Sequence, residues 1–131
     1  MIGRRKGSAT LTKLEIQIMQ VLWEHGAGTV VQVQELLKPV KELAYTTVQT
    51  VLNKLELKQQ VRRSLAGRAY CYEAVTSKES ILKLAIRELA EHMFRGSPED
   101  LVMSLVKSRQ VDPLRIADLS RRIAEEDSSD A

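Results

Sequence analysis

The hydrophobic pattern along the chain is first helical, then extended, then helical again. Leu14, Ile18, Val21 and Leu22 recur at the spacing of one helix face. Ahead of them, Thr12 with Glu15 three residues on has the form of a capping box. Leu11 and Ile16 are placed as a hydrophobic staple, and Gly26 supplies a stop. Thr29 with Gln32 predicts a second box opening a shorter helix with Val30, Val33, Leu36 and Leu37, which must end before Pro39. A third helix is predicted over "AYTTVQTVLNKL", residues 44–55, where Val48, Val51, Leu52 and Leu55 fall at i, i+3, i+4 and i+7. The period then shortens. "VRRSLAGRAYCYEAV", residues 61–75, places β-branched and aromatic residues on both sides of Gly67 and predicts a hairpin.

Helical spacing resumes with a box at Thr76 and Glu79, followed by Leu82, Ala85, Ile86, Leu89 and Met93. Ser97 with Pro98, then Asp112 with Pro113, are two more helix starts, the second leading into Ile116, Leu119 and Ile123. Three helices and a hairpin outline a winged helix-turn-helix. The expected class is therefore mainly α with a small β-hairpin, a winged helix followed by a C-terminal helical domain. The expected boundaries are a flexible basic N-terminus at 1–10, the winged helix at 11–75, the helical domain at 76–126 and a disordered polar tail at 127–131. The helical domain has about 50 residues in short amphipathic helices, too few to bury a comfortable core alone. Its stripes are expected to be completed by a second copy across a two-fold axis. Leu82, Ile86, Leu89, Leu101, Val102, Leu105, Val106, Ile116, Leu119 and Ile123 are the candidate dimer residues.

Charge divides along the same line. Residues 1–75 hold 11 Lys/Arg against 6 Asp/Glu, a net +5, whereas residues 76–131 hold 9 against 11, a net −2. The single cysteine, Cys71, cannot form an internal disulfide, which points to a reducing cytoplasm. No stretch approaches the roughly 18 apolar residues of a membrane span, and "MIGRRKG" has no apolar segment behind it to make a secretory signal. Direct membrane binding is not expected.

The third helix carries the candidate chemistry. Opposite its apolar stripe lie Thr46, Thr50 and Asn53, flanked by Thr47, Gln49 and Lys54. Hydroxyls and amides both donate and accept, and a Thr methyl can meet a thymine methyl, so this face suits base edges in the major groove. Lys54 is better placed for phosphate. The bland alternative is a solvated face on which Thr46 and Gln49 serve only as a capping box. The hairpin tips the balance, because Arg62, Arg63 and Arg68 surround its turn and could follow a DNA backbone or enter the minor groove. The rival from another class is a winged helix that binds proteins and never touches DNA.

Three segments, "LTKLEIQIMQVLWEHG", "AYTTVQTVLNKL" and "GRAYCYEAV", resemble the BlaI/MecI penicillinase-repressor family of bacterial regulators, and the resemblance runs from about residue 10 to residue 126. It implies a homodimeric repressor on a palindromic double-stranded DNA operator, with a possible role in antibiotic resistance. Carried onto matching positions, the DNA-facing residues are Thr46, Thr47, Gln49, Thr50 and Lys54, the wing residues are Arg62, Arg63 and Arg68, and Tyr45 either contacts DNA or packs. The resemblance also implies a membrane-embedded sensor with a zinc protease domain, and places the bond it would cut at Ser104–Leu105, where the family's best-known sites have Asn–Phe. Two other departures stand out. Gln59 and Gln60 occupy the turn where the family usually has Gly, and Leu57 falls near the polar face. The cysteine clusters of the copper-responsive branch are missing, which argues against copper sensing.

An enzyme is not expected, nor a metal or cofactor. His25 and His92 lie in no ligand spacing and read as surface or helix-end residues. Cys71 between Tyr70 and Tyr72 suits packing better than nucleophilic chemistry.

Overall fold

The computed structural model describes residues 11–130. The expected flexible segment 1–10 lies outside them, as does Ala131. The elements run α1 (Lys13–His25), β1 (Gly28–Thr29), α2 (Val30–Leu37), α3 (Tyr45–Leu57), β2 (Val61–Ala66), β3 (Ala69–Ala74), α4 (Lys78–Met93), α5 (Pro98–Lys107), a 3-10 turn (Pro113–Arg115) and α6 (Ile116–Asp130). The chain divides into two compact units inside α4, after Ala85.

The first unit is a winged helix. Both capping boxes form as the sequence predicts: Thr12 and Glu15 exchange bonds of 3.1 and 2.8 Å, and Thr29 and Gln32 bonds of 3.2 and 2.9 Å. Gly26 closes α1 at φ 85°, a left-handed conformation that glycine adopts without strain. The three apolar stripes converge, and Ile18, Met19, Val33, Leu37, Val48, Leu52, Leu55 and Tyr72 are fully buried where they meet. Burying such side chains stabilises by about 1.5–3 kcal/mol each before chain entropy is counted. The wing is larger than the expected hairpin. Its strands pair in the order β1-β3-β2, with Gly28 opposite Tyr72 and Thr29 opposite Cys71. A two-residue strand that doubles as a helix cap leaves no alternation for the sequence to reveal.

The turn after α3, where glycine is missing, is resolved by the two glutamines. Gln59 adopts φ 62°. Its N–H donates to Glu56 O at 2.9 Å, and the Gln60 N–H donates to Leu55 O at 2.9 Å, the paired bonds of a Schellman cap. Gln60 is 7% exposed and turns inward. Its amide nitrogen donates to Lys58 O at 3.0 Å, and its amide oxygen accepts from the Thr76 hydroxyl at 2.6 Å. Thr76 is thereby committed to the turn, which corrects the capping box expected of it with Glu79. Ser77 caps α4 instead, its hydroxyl accepting from Ser80 N at 3.1 Å. Trp23 Nε1 donates to Thr76 O at 2.9 Å, and Ile81 packs against the core, so the start of α4 belongs with the winged helix.

A buried ion pair ties the first helix to the third. Glu15, 2% exposed, accepts from Lys58 Nζ at 2.7 Å while also holding the Thr12 N–H. Burial alone would raise its pKa, but the Lys58 and Thr12 bonds outweigh that and hold it below the usual carboxylate value.

The second unit holds α5, α6 and the remainder of α4. Ser97 caps α5 by accepting from Asp100 N at 3.1 Å, with Pro98 at the first helical position. Asp112 accepts from Leu114 N at 2.9 Å and starts the 3-10 turn that leads into α6. The expected disordered tail is corrected for residues 127–130, because α6 continues to Asp130. Between Ile116 and Asp130 there is neither Gly nor Pro, and Ala124, Glu125 and Glu126 favour helix, so nothing stops it earlier.

Candidate nucleic-acid interface

Helical spacing sorts the exposed side of α3 into three rows. Thr46, Thr50 and Leu57 run along its centre. Gln49, Asn53 and Glu56 form one flank, and Thr47 and Lys54 the other. Val48, Val51, Leu52 and Leu55 are buried behind them. Thr46, Thr47, Thr50 and Lys54 are exposed and Gln49 is partly so. The N-cap of α3 is Ala44, with no side-chain cap bond, so Thr46 and Gln49 are not a capping box. Among the described residues, none of these five side chains has a hydrogen-bond or ionic partner. Tyr45, at the first position of the helix, is 44% exposed and equally unpaired.

The Asn53/Glu56 flank is the one that meets the wing. Tyr72, buried in β3, donates its O–H to Asn53 Oδ1 at 3.3 Å. Arg63, opposite Tyr72 in the strand register, places Nε 3.4 Å from Glu56 Oε2 and its guanidinium carbon 4.3 Å from the Tyr70 ring centre. The Tyr72 hydroxyl, then the Glu56 carboxylate, hold the guanidinium pKa above its usual value. On the opposite face of the wing, Arg62 pairs with its register partner Glu73 at 3.1 Å. At the tip, Gly67 takes φ 68° as the first residue of a two-residue turn, and Arg68 follows it, exposed and without a partner among the described residues.

The three wing arginines therefore differ, although the sequence groups them. Arg62 and Arg63 have carboxylates of their own, and Arg68 is left for an outside anion. Sequence reasoning missed Glu56. Its only signal was a carboxylate one turn beyond Asn53, and nothing in the sequence shows that Arg63 lies against it.

His25 and His92 sit in the last turns of α1 and α4, both exposed. No cluster of three or more His, Cys, Asp or Glu suited to a metal occurs among the described residues, and no helix there is long and apolar enough to cross a membrane. Leu57 is 84% exposed, and nothing in the structure explains it.

A family profile described as penicillinase repressor matches residues 11–125. The transcriptional regulator BlaI of Mycobacterium tuberculosis is 34% identical over 112 residues, covering 82% of this chain and 81% of that one. Among solved structures, a complex structure of hsRosR-S4 aligns with 97% of this chain and 98% of that one at a TM-score of 0.55 and 19% identity, a likeness of fold alone. The solution structure of the DNA binding domain of the repressor BlaI aligns with 53% of this chain and 85% of that one, at 23% identity and a TM-score of 0.49. With its profile match and its BlaI relative both spanning most of its length, the chain belongs to the penicillinase repressor family and is a winged-helix transcriptional regulator of the BlaI type.

Proposed function

We propose that the protein is a transcriptional repressor that binds a palindromic DNA operator as a homodimer. The observation that carries this reading is the unpaired face of α3, where Thr46, Thr47, Gln49, Thr50 and Lys54 have polar groups and no partner within the described residues. Beside a wing whose tip presents Arg68, that face supports base readout by the helix and phosphate contact by the wing. Tyr45 borders the face at the helix entrance. Arg62 and Arg63 are secondary contacts, since both are paired in the free protein.

The second unit supports the dimer. No residue of α5 is buried, and Ala90 is the only buried residue of α4. Ile86, Leu89, Val102, Leu105, Leu119 and Ile123 are each at least 36% exposed, as is Leu82 in the part of α4 that belongs to the first unit, while Leu101, Val106 and Ile116 are half-buried. Apolar stripes of this extent are partner surfaces by default. Release of the operator then follows from losing the dimer. A membrane sensor-protease cutting Ser104–Leu105 would remove the end of α5 and all of α6, and each winged helix would lose an effective-concentration gain of about 10²–10⁴-fold. Both residues lie inside α5, so cleavage requires that helix to open locally.

Selection of bound genomic fragments, followed by titration of the selected site and of random duplex, tests the reading. Gln49→Ala is expected to reduce discrimination by about 1–3 kcal/mol. Arg68→Ala is expected to weaken both complexes and flatten the salt dependence by roughly one unit of slope. A parent protein that shifts no duplex at low salt would be an interaction module instead. Blots from induced cells test the protease step, which fails if full-length repressor leaves its operator with no fragment of about 100 residues.

A further inference from the structure

Two of the wing's three arginines are matched to carboxylates, but the two matches differ in kind. Arg62 and Glu73 meet in open solvent, with side chains 72% and 53% exposed. Pairs of that sort open readily and restrain little. Arg63 and Glu56 are 39% and 34% exposed, Arg63 also stacks on Tyr70, and Glu56 comes from the helix proposed to enter the groove. It lies on the same flank as Gln49 and Asn53. The guanidinium that this carboxylate holds would otherwise seek the phosphates of any DNA sequence.

We infer that Glu56 is a specificity-determining residue: its carboxylate occupies Arg63 as a phosphate would, and so holds down sequence-independent attraction to DNA. Discrimination is then left to the unpaired Thr/Gln face of α3. The ratio of operator to random affinity, set against the excess of random sites in a genome, decides occupancy, so lowering the random term has value in itself. A sliding complex samples registers until a free Arg63 meets a phosphate, whereas an operator complex has one fixed register. Freeing Arg63 therefore favours random DNA more.

The inference rests on the operator-binding reading, and titrations of the full chain against random duplex and the selected fragment separate the two. Glu56→Gln, which keeps the side chain's size, is expected to tighten random-duplex binding on the order of fivefold near 0.1 M salt and to steepen the salt slope by about one unit. Operator affinity should rise less, so the ratio falls. Adding Arg63→Ala should abolish the gain, and Glu73→Gln alone should give a smaller one. An unchanged slope, an equal gain on both duplexes, or a gain that survives Arg63→Ala overturns the inference while leaving DNA binding intact. A parent that binds neither duplex overturns both.

Discussion

The two units use the same amphipathic logic and finish it differently. In the first, the stripes of α1, α2 and α3 close on one another and on Tyr72, leaving Ile18, Met19, Val33, Val48, Leu52 and Leu55 without measurable exposure. In the second, stripes of similar regularity leave Ile86 at 46%, Leu89 at 45% and Ile123 at 59% exposure. An apolar face at helical spacing fixes which side of a helix is buried, but not what buries it. The first unit supplies its own partners, including a wing whose third strand adds Thr29 to the sheet. The second, in the reading proposed here, borrows them from another copy.

The sharpest way to break this comparison is a pair of truncations. Leu52→Ala empties a fully enclosed site and should lower unfolding stability by about 2–5 kcal/mol at any protein concentration. Ile86→Ala should act mainly through association, so that its melting temperature approaches the parent's as both are diluted. Calorimetry over a range of concentrations checks it. An Ile86→Ala deficit that persists at the lowest concentrations would mean that α4 is buried within one chain, and the contrast between the units would dissolve.

Legibility in the sequence follows the range over which each feature is determined. The helices, both N-terminal capping boxes and the hairpin were legible because each depends on residues three or four apart, or on adjacent strands. The polar face of α3 was legible for the same reason. What stayed hidden depended on pairs outside those patterns: Glu15 with Lys58 and Trp23 with Thr76, far apart in sequence, and Glu56 with Arg63, seven residues apart across a helix–strand turn. Thr76 shows the mechanism of error. Its spacing to Glu79 met the rule for a cap, yet the buried amide of Gln60, 16 residues earlier, made a better use of its hydroxyl. Local rules fail where a side chain has a stronger offer from elsewhere in the fold.

A smaller effect is expected at the tie between α1 and α3. Lys58→Met leaves Glu15 buried without its cation, and breaking buried pairs this way is strongly destabilising. Because Lys58 is 30% exposed, the expected loss is discounted to about 1–3 kcal/mol. The pH dependence has a definite sign. A carboxylate whose folded pKa lies below its unfolded value of 4.5 contributes stability that is present above 4.5 and fades as pH falls through the folded value. Denaturant titrations should therefore show parent and Glu15→Gln converging in acid. Curves that stay parallel down to pH 3 would mean that Glu15 contributes by shape alone.

The smallest change is expected at Gln59, and it improves the protein. At φ 62° a side chain with a β-carbon is strained, whereas glycine adopts the conformation freely and loses more entropy on folding. The two terms oppose each other, and in a left-handed cap the strain is the larger. Gln59→Gly should stabilise the first unit by roughly 0.5–1 kcal/mol. The neighbouring Gln60 should not tolerate the same exchange, because its buried amide donates to Lys58 O and accepts from the Thr76 hydroxyl, and losing it leaves that hydroxyl only its 3.2 Å bond to the Gln60 carbonyl. Arg109 offers a matched position in the second unit: at φ 65° its N–H donates to Val106 O at 3.0 Å, and the Gln110 N–H donates to Leu105 O at 2.9 Å, the same cap. Arg109→Gly should give a gain of similar size. If it appears only when the protein is concentrated, the end of α5 forms through dimerisation, whereas a gain independent of concentration would place α5 among the elements that one chain holds by itself.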